Sequence, residues 1–213
     1  MRPTSWKSWN ELLKRLSPRN GGTQCYAYSH LYGSTCGISF YLKRGGDEGA
    51  IEERLEGRRA IAEILQREGV DAFVSSSYKR AIQTIEIAAK RLGKSIVIDS
   101  RFRERDLARH DHFFIDMEQA VERAFSDPAF SYPGGESNAV ACVRGVCALE
   151  ELLAAYRGKK VAIGTHGNIM TIIMNHFDSA YDFQFWRKTT KPDLYRLTFA
   201  ENDLREVVRL WEE

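Results

Sequence analysis

The chain has 213 residues, 43% hydrophobic and 28% charged, enough to bury a core as one domain or as one domain with an extension. Lys and Arg outnumber Asp and Glu by only 31 to 29, and the longest basic cluster, Arg187 to Lys191, holds three cations. That excludes the basic stripe of a nucleic-acid binder and leaves a small anionic ligand compatible with the balance. Cys25, Cys36, Cys142 and Cys147 have neither CxxC spacing nor the density of a secreted disulfide scaffold, so they read as reduced thiols. No apolar run is long enough to span a bilayer and the N-terminus has no signal-peptide core, so the expected compartment is the cytoplasm.

In chain order, residues 1–37 read as an irregular, poorly ordered N-terminal extension, with one basic amphipathic helix around Trp9 to Leu16. Residues 38–213 read as an α/β domain. Its first strand is Ile38 to Lys43, set in a glycine-rich stretch. From residue 60 the pattern becomes regular: a helix at Ile61–Glu68, a strand at Ala72–Ser75, a helix at Arg80–Leu92 closed by Gly93, and a strand at Ser95–Ile98. A long helix follows at Ser137–Tyr156, then a strand at Lys160–Thr165, a helix at Gly167–Phe177, and closing strands at Leu194–Phe199 and Leu204–Trp211. Strands alternating with helices predict an α/β layer fold with a largely parallel sheet, in which ligands sit beyond the carboxyl ends of the strands.

Two segments carry chemistry at such strand ends. The strand ending at Thr165 delivers His166 to the start of a helix, where free backbone amides and the helix dipole favour a phosphate or other oxyanion. Gly167 leaves room for a ligand to approach the backbone there. A histidine that merely caps the turn is the plainer reading. After Ser75, the run Ser76-Ser77-Tyr78-Lys79-Arg80 places hydroxyls and cations at a second strand end. Arg80 could grip two phosphate oxygens at once, and a solvated helix face is the alternative. His110 and His112 lack metal-site spacing and read as part of a mobile loop. Tyr181, Phe183, Phe185 and Trp186 read as core or pocket wall rather than as a docking patch.

These segments, in this order, resemble the histidine phosphatase superfamily, also called phosphoglycerate-mutase-like. Ser76 to Thr84 is similar to its S-P-x-x-R-A-x-Q-T segment, with Ser77 in place of the usual Pro. Phe102-Arg103-Glu104 is similar to its L-x-E, Gly135-Glu136-Ser137 to its G-E-S, and Thr165-His166-Gly167 to its S/T-H-G. The resemblance implies a three-layer αβα sandwich and phosphomonoester hydrolase or phosphomutase chemistry through a phosphohistidine, without metal or cofactor. The implied ligand is a small phosphorylated substrate or inorganic phosphate, with no nucleic acid or membrane partner. It assigns phosphate contacts to Arg80, His166 and Gly167, and the proton donor to Glu104. Arg101, Arg103 and Arg105 surround Glu104 in sequence and would lower its pKa unless it is partly buried. In this family, loops such as Arg105 to Pro133 and Ser179 to Pro192 choose the substrate.

One part of the pattern is missing. The family's R-H-G or R-H-A motif, whose histidine becomes phosphorylated, follows its first strand, and this chain has none. The in-frame counterpart, Ile38 to Lys43 followed by Arg44-Gly45-Gly46-Asp47, offers Arg44 as a phosphate contact and puts Gly45 where the nucleophile belongs. The chain is therefore expected to be inactive or impaired, with a non-catalytic phosphate binder as the alternative. Degenerate codons for His30 to Ser39, read one base later, permit Ile-Tyr-Met-Val-Arg-His-Ala-Glu-Ser. The same shift through Glu48 to Leu55 permits a segment like the family's L-S/T-x-K-G. A frame shift upstream of His30, compensated between about Arg54 and Ala60, would account for both.

Overall fold

The computed structural model describes residues 35–42, 51–190 and 192–211, with side chains from residue 55 onward. Residues 1–34, with the expected Trp9–Leu16 helix, and Arg44 with Gly45 lie outside the described residues, whereas residues 35–37, read as part of the irregular extension, are in a strand. The described elements, in order, are β1 Thr35–Leu42, α1 Ile51–Glu68, β2 Ala72–Ser75, α2 Lys79–Arg91, β3 Ile96–Ile98, a single 3₁₀ turn Ser100–Phe102, α3 Met117–Ser126, α4 Asn138–Ala155, β4 Lys160–Gly164, α5 Gly167–Phe177, α6 Phe183–Lys188, β5 Asp193–Ala200 and β6 Asp203–Arg209. No helix among the described residues is long and apolar enough to cross a membrane.

The strands form one sheet in the order β3-β2-β4-β1-β5-β6. β1 runs parallel to β4 from Gly37 opposite Lys160 to Tyr41 opposite Gly164, and antiparallel to β5. β1 therefore fills the middle slot of a largely parallel sheet, three residues earlier than the predicted Ile38 start. Alternation along β4 shows why helices cover both faces. Val161 and Ile163 join the α4 and α5 side with Ile169 and Leu149, whereas Ala162 joins the α1 and α2 side with Leu65 and Ile85. All three strand residues are fully buried, as a parallel strand between two helical layers requires.

Three helices also depart from the sequence expectation. α1 begins ten residues before Ile61, because Gly57 interrupts the apolar pattern that would have announced it. A Cβ on Gly57 would stand 3.3 Å from the Pro192 ring, so the glycine marks a close approach rather than a helix end. α3 and α6 lie in segments read as loops. Each has a legible start signal: Asp116 accepts from the Gln119 amide at 3.0 Å, and Asp182 from the Gln184 and Phe185 amides at 2.8 and 3.2 Å. Phe183 and Trp186 of α6 are buried against Val121 of α3, in agreement with the core reading of that aromatic run. Cys142 is a free thiol as expected, but Cys147 is disulfide-bonded and corrects the reading of four reduced cysteines.

Candidate functional site

β1, β2 and β4 end level with one another, since Gly164 pairs with both Tyr41 and Ser75. The chain leaves β2 through Ser76 to Tyr78 into α2, and leaves β4 through Thr165 and His166 into α5. The Ser76 amide donates to the Gly164 carbonyl at 2.8 Å, fastening the two exits together. A Cβ on Gly164 would stand 2.9 Å from the Ala81 carbonyl and from Ser75 Oγ, so only glycine lets the first turn of α2 lie against the end of β4. That approach brings Arg80 to His166.

His166 is fully buried. Arg80 Nε donates to its Nδ1 at 3.2 Å, and because guanidinium cannot accept, Nδ1 carries the lone pair. A neutral ring then has its proton on Nε2, which donates to Ser76 Oγ at 2.8 Å. Burial first, then the Arg80 and Arg144 charges, push the His166 pKa down to about 3, so the ring is neutral near pH 7. Tyr78 meets the imidazole edge-on at 5.0 Å, and its face lies 4.5 Å beneath the Arg80 guanidinium. Arg80 spends only Nε on protein; its two terminal nitrogens hydrogen-bond to none of the described residues and suit two oxygens of one phosphate.

Glu104 lies at the other side of the α5 start. Its Oε1 accepts from the Arg105 and Ile169 amides at 3.0 and 3.1 Å, and its Oε2 from the Asn168 amide at 3.4 Å. These first-turn amides, expected to be free for an oxyanion, are thus occupied by a carboxylate of the chain itself. Burial outweighs the three donors and holds the Glu104 carboxyl above its usual range. The neighbouring arginines do not reverse this: Arg101 pairs with Asp99 and Glu151 at 2.7 Å each, and Arg103 lies 3.6 Å from Glu136.

Arg144, which the sequence reading passed over, fixes this segment. Its guanidinium donates to both Glu136 oxygens at 2.8 and 2.7 Å and to the Arg101 and Arg103 carbonyls at 2.6 and 3.0 Å. Thr165 Oγ1 adds a bond to the Phe102 carbonyl at 2.8 Å. The one signal for Arg144 in the sequence is that it is the lone cation of α4, eight residues after Glu136. Gly167 has a different neighbour from the one expected: a Cβ there would meet Trp186 Nε1 at 3.3 Å.

Arg80, Ser76, Glu104, Gly167 and His166 therefore come together from three distant parts of the chain. His112 instead packs its ring on Phe114 and Tyr132, at 4.4 and 6.0 Å. No group of three or more His, Cys, Asp or Glu among the described residues is placed to hold a metal ion.

A neutral histidine, an arginine whose terminal donors bond to none of the described residues and a half-buried carboxyl lie together at the converging strand ends of an α/β fold, an arrangement that could receive an oxyanion. The model of the histidine phosphatase superfamily (branch 1) matches residues 52–212, and the chain belongs to that family. It is 27% identical over 150 residues, 61% of this chain and 70% of the other, to a probable phosphoglycerate mutase GpmB of Enterobacter sp. (strain 638). Among solved structures it is similar in fold to a mycobacterial glucosyl-3-phosphoglycerate phosphatase in complex with inorganic phosphate, with a TM-score of 0.63 and 18% identity over 84% of this chain and 97% of that one. A mutant phosphoserine phosphatase from Entamoeba histolytica in complex with phosphoserine has a TM-score of 0.60 and 13% identity over 84% and 95%. The family match opens at residue 52, after β1 and the glycine-rich stretch that follows it.

Proposed function

We propose that this chain descends from phosphomonoester hydrolases or phosphomutases and, as translated, binds phosphorylated ligands without turning them over. One observation carries the reading: Arg80, His166 and Glu104 are assembled at the strand ends, while the residues that follow β1 are Lys43, Arg44, Gly45 and Gly46, with no histidine. In an intact relative, a histidine nitrogen would bond to phosphorus as the ester oxygen leaves with a proton from an acid such as Glu104. Water would then break the N–P bond and release phosphate. Without the nucleophile, what remains is recognition: a charge-assisted grip by the terminal nitrogens of Arg80. His166 already spends both nitrogens on Arg80 and Ser76, so it acts first as the support that aims Arg80.

The relatives support the ligand class, since they include a phosphatase bound to inorganic phosphate and one bound to phosphoserine. Thermal unfolding of the purified chain in rising inorganic phosphate tests the reading. We expect saturable stabilisation, about 2.7 kcal/mol at a hundred times Kd, that is lost in Arg80→Ala. A melting temperature indifferent to phosphate would overturn it.

The nucleotide sequence separates two origins of the missing motif. A frame shift predicts that the codons of Ser34 to Gly37, read one base later, spell Arg-His-Ala. A selected non-catalytic binder predicts that they do not.

A further inference from the structure

Several arginines of the chain are held by carboxylates: Arg101 by Asp99 and Glu151, Arg144 by Glu136, Arg187 by Glu118 and Arg196 by Glu68. Arg80 is held differently. Among the described residues it has no carboxylate partner; its Nε donates to His166 Nδ1 at 3.2 Å, and its guanidinium carbon lies 4.5 Å from the centre of the Tyr78 ring. Both supports are neutral.

A carboxylate on Arg80 would compete with an arriving anion for the same nitrogens and cancel the charge that attracts it. The face of a ring attracts the cation through its quadrupole but presents no lone pair to the terminal nitrogens, so their donors and their charge stay available. A loose arginine would also lose rotamer freedom on gripping an anion. Fixed at Nε by the imidazole and across its plane by the ring, Arg80 has already lost it.

The helix starts give an independent sign. Asp116, Ser137 and Asp182 each accept from a first-turn amide and so cap α3, α4 and α6, as stability favours at that position. α2 and α5 begin with Tyr78 and His166, and neither side chain caps its helix. Both of these residues instead contact Arg80, and the Tyr78 ring also meets the imidazole edge-on at 5.0 Å. The extended backbone of Tyr78, φ −77° and ψ 127°, lets a side chain two positions before Arg80 reach it, whereas residues i and i+2 within a helix do not face each other.

We propose that Tyr78 is a positioning residue for phosphate, a neutral aromatic clamp that fixes the Arg80 guanidinium without cancelling its charge. The inference rests on Arg80 being the phosphate ligand. It makes the ring essential and the hydroxyl dispensable.

The test is isothermal titration of the full chain with inorganic phosphate in the native, Tyr78→Phe and Tyr78→Leu forms. We expect Tyr78→Phe to bind within about twofold of the native chain and Tyr78→Leu about fivefold more weakly, as loss of one partly exposed cation–π contact implies. Ligand-free melting separates clamp from fold: Tyr78→Leu should lose affinity while melting like Tyr78→Phe, and affinity lost only in step with a lowered melting temperature would overturn the inference. If Leu at this position prevents folding, Tyr78→Met is read by the same ratio. Undiminished affinity in Tyr78→Leu, or a loss in Tyr78→Phe as large as in Tyr78→Leu, would overturn this inference alone. Absence of phosphate binding by the native chain would overturn the phosphate reading beneath it as well.

Discussion

At the residue scale, His166 sets the pH behaviour. Its pKa falls to about 3 in the folded chain against about 6.5 unfolded, so between those values the unfolded state binds the extra proton. Stability is therefore fully present above about pH 6.5 and is lost as pH falls toward 3, at up to about 1.4 kcal/mol per pH unit for this one group. Glu104, whose carboxyl is raised by burial, acts in the opposite sense nearer the carboxylate range, so the comparison must be differential. We expect melting temperatures from pH 7.5 to 4.5 to fall more steeply in the native chain than in His166→Gln; parallel curves would show that His166 is not held neutral. Arg80→Lys should weaken phosphate binding about tenfold or more in the same melting assay, because an ammonium cannot bridge His166 Nδ1 and two phosphate oxygens together. Arg80 and His166 were legible as strand-end residues, because short apolar strands followed by Gly or Ser announce such positions. Their mutual bond was not, because the Gly164 clearance that permits it is a distance between two chain segments.

At the scale of elements, the 100–104 segment depends on one largely buried pair, Arg144 of α4 and Glu136 of the loop that precedes it. Arg144 and Glu136 have side chains 12% and 11% exposed, and Arg144 also satisfies two carbonyls of that segment. Arg144→Met leaves Glu136 buried and those carbonyls without a donor, so we expect a loss of about 3 kcal/mol in urea unfolding. A loss within about 0.5 kcal/mol, the range of ordinary surface changes, would mean that the pair does not organise the segment. The helices read correctly from sequence, α2, α4 and α5, are those whose apolar period is unbroken. α3 and α6 are short, and their existence rests on an Asp cap and on mutual contacts of Val121, Phe183 and Trp186 that no single window contains. Glu104 was legible as a motif residue, but its role as the acceptor for the α5 amides was not, since it reaches them from more than sixty positions away in the chain.

At the scale of the whole molecule, the sheet closes around β1 even though the sequence surrounding that strand departs from the family pattern. The order β3-β2-β4-β1-β5-β6 leaves no central gap, and its registers place the end of β1 level with the site. Fold and catalytic competence thus separate: a strand with alternating apolar residues can fill the slot, but only a histidine after it can accept a phosphoryl group. If the proposed reading of a binder without turnover holds, restoring the alternative frame through residues 30 to 55 should confer phosphatase activity. The most direct test is hydrolysis of an aryl phosphate by the purified native chain beside its His166→Ala variant. We expect the two to be indistinguishable, both at the uncatalysed background; turnover by the native chain that His166→Ala abolishes would contradict a site without a nucleophile.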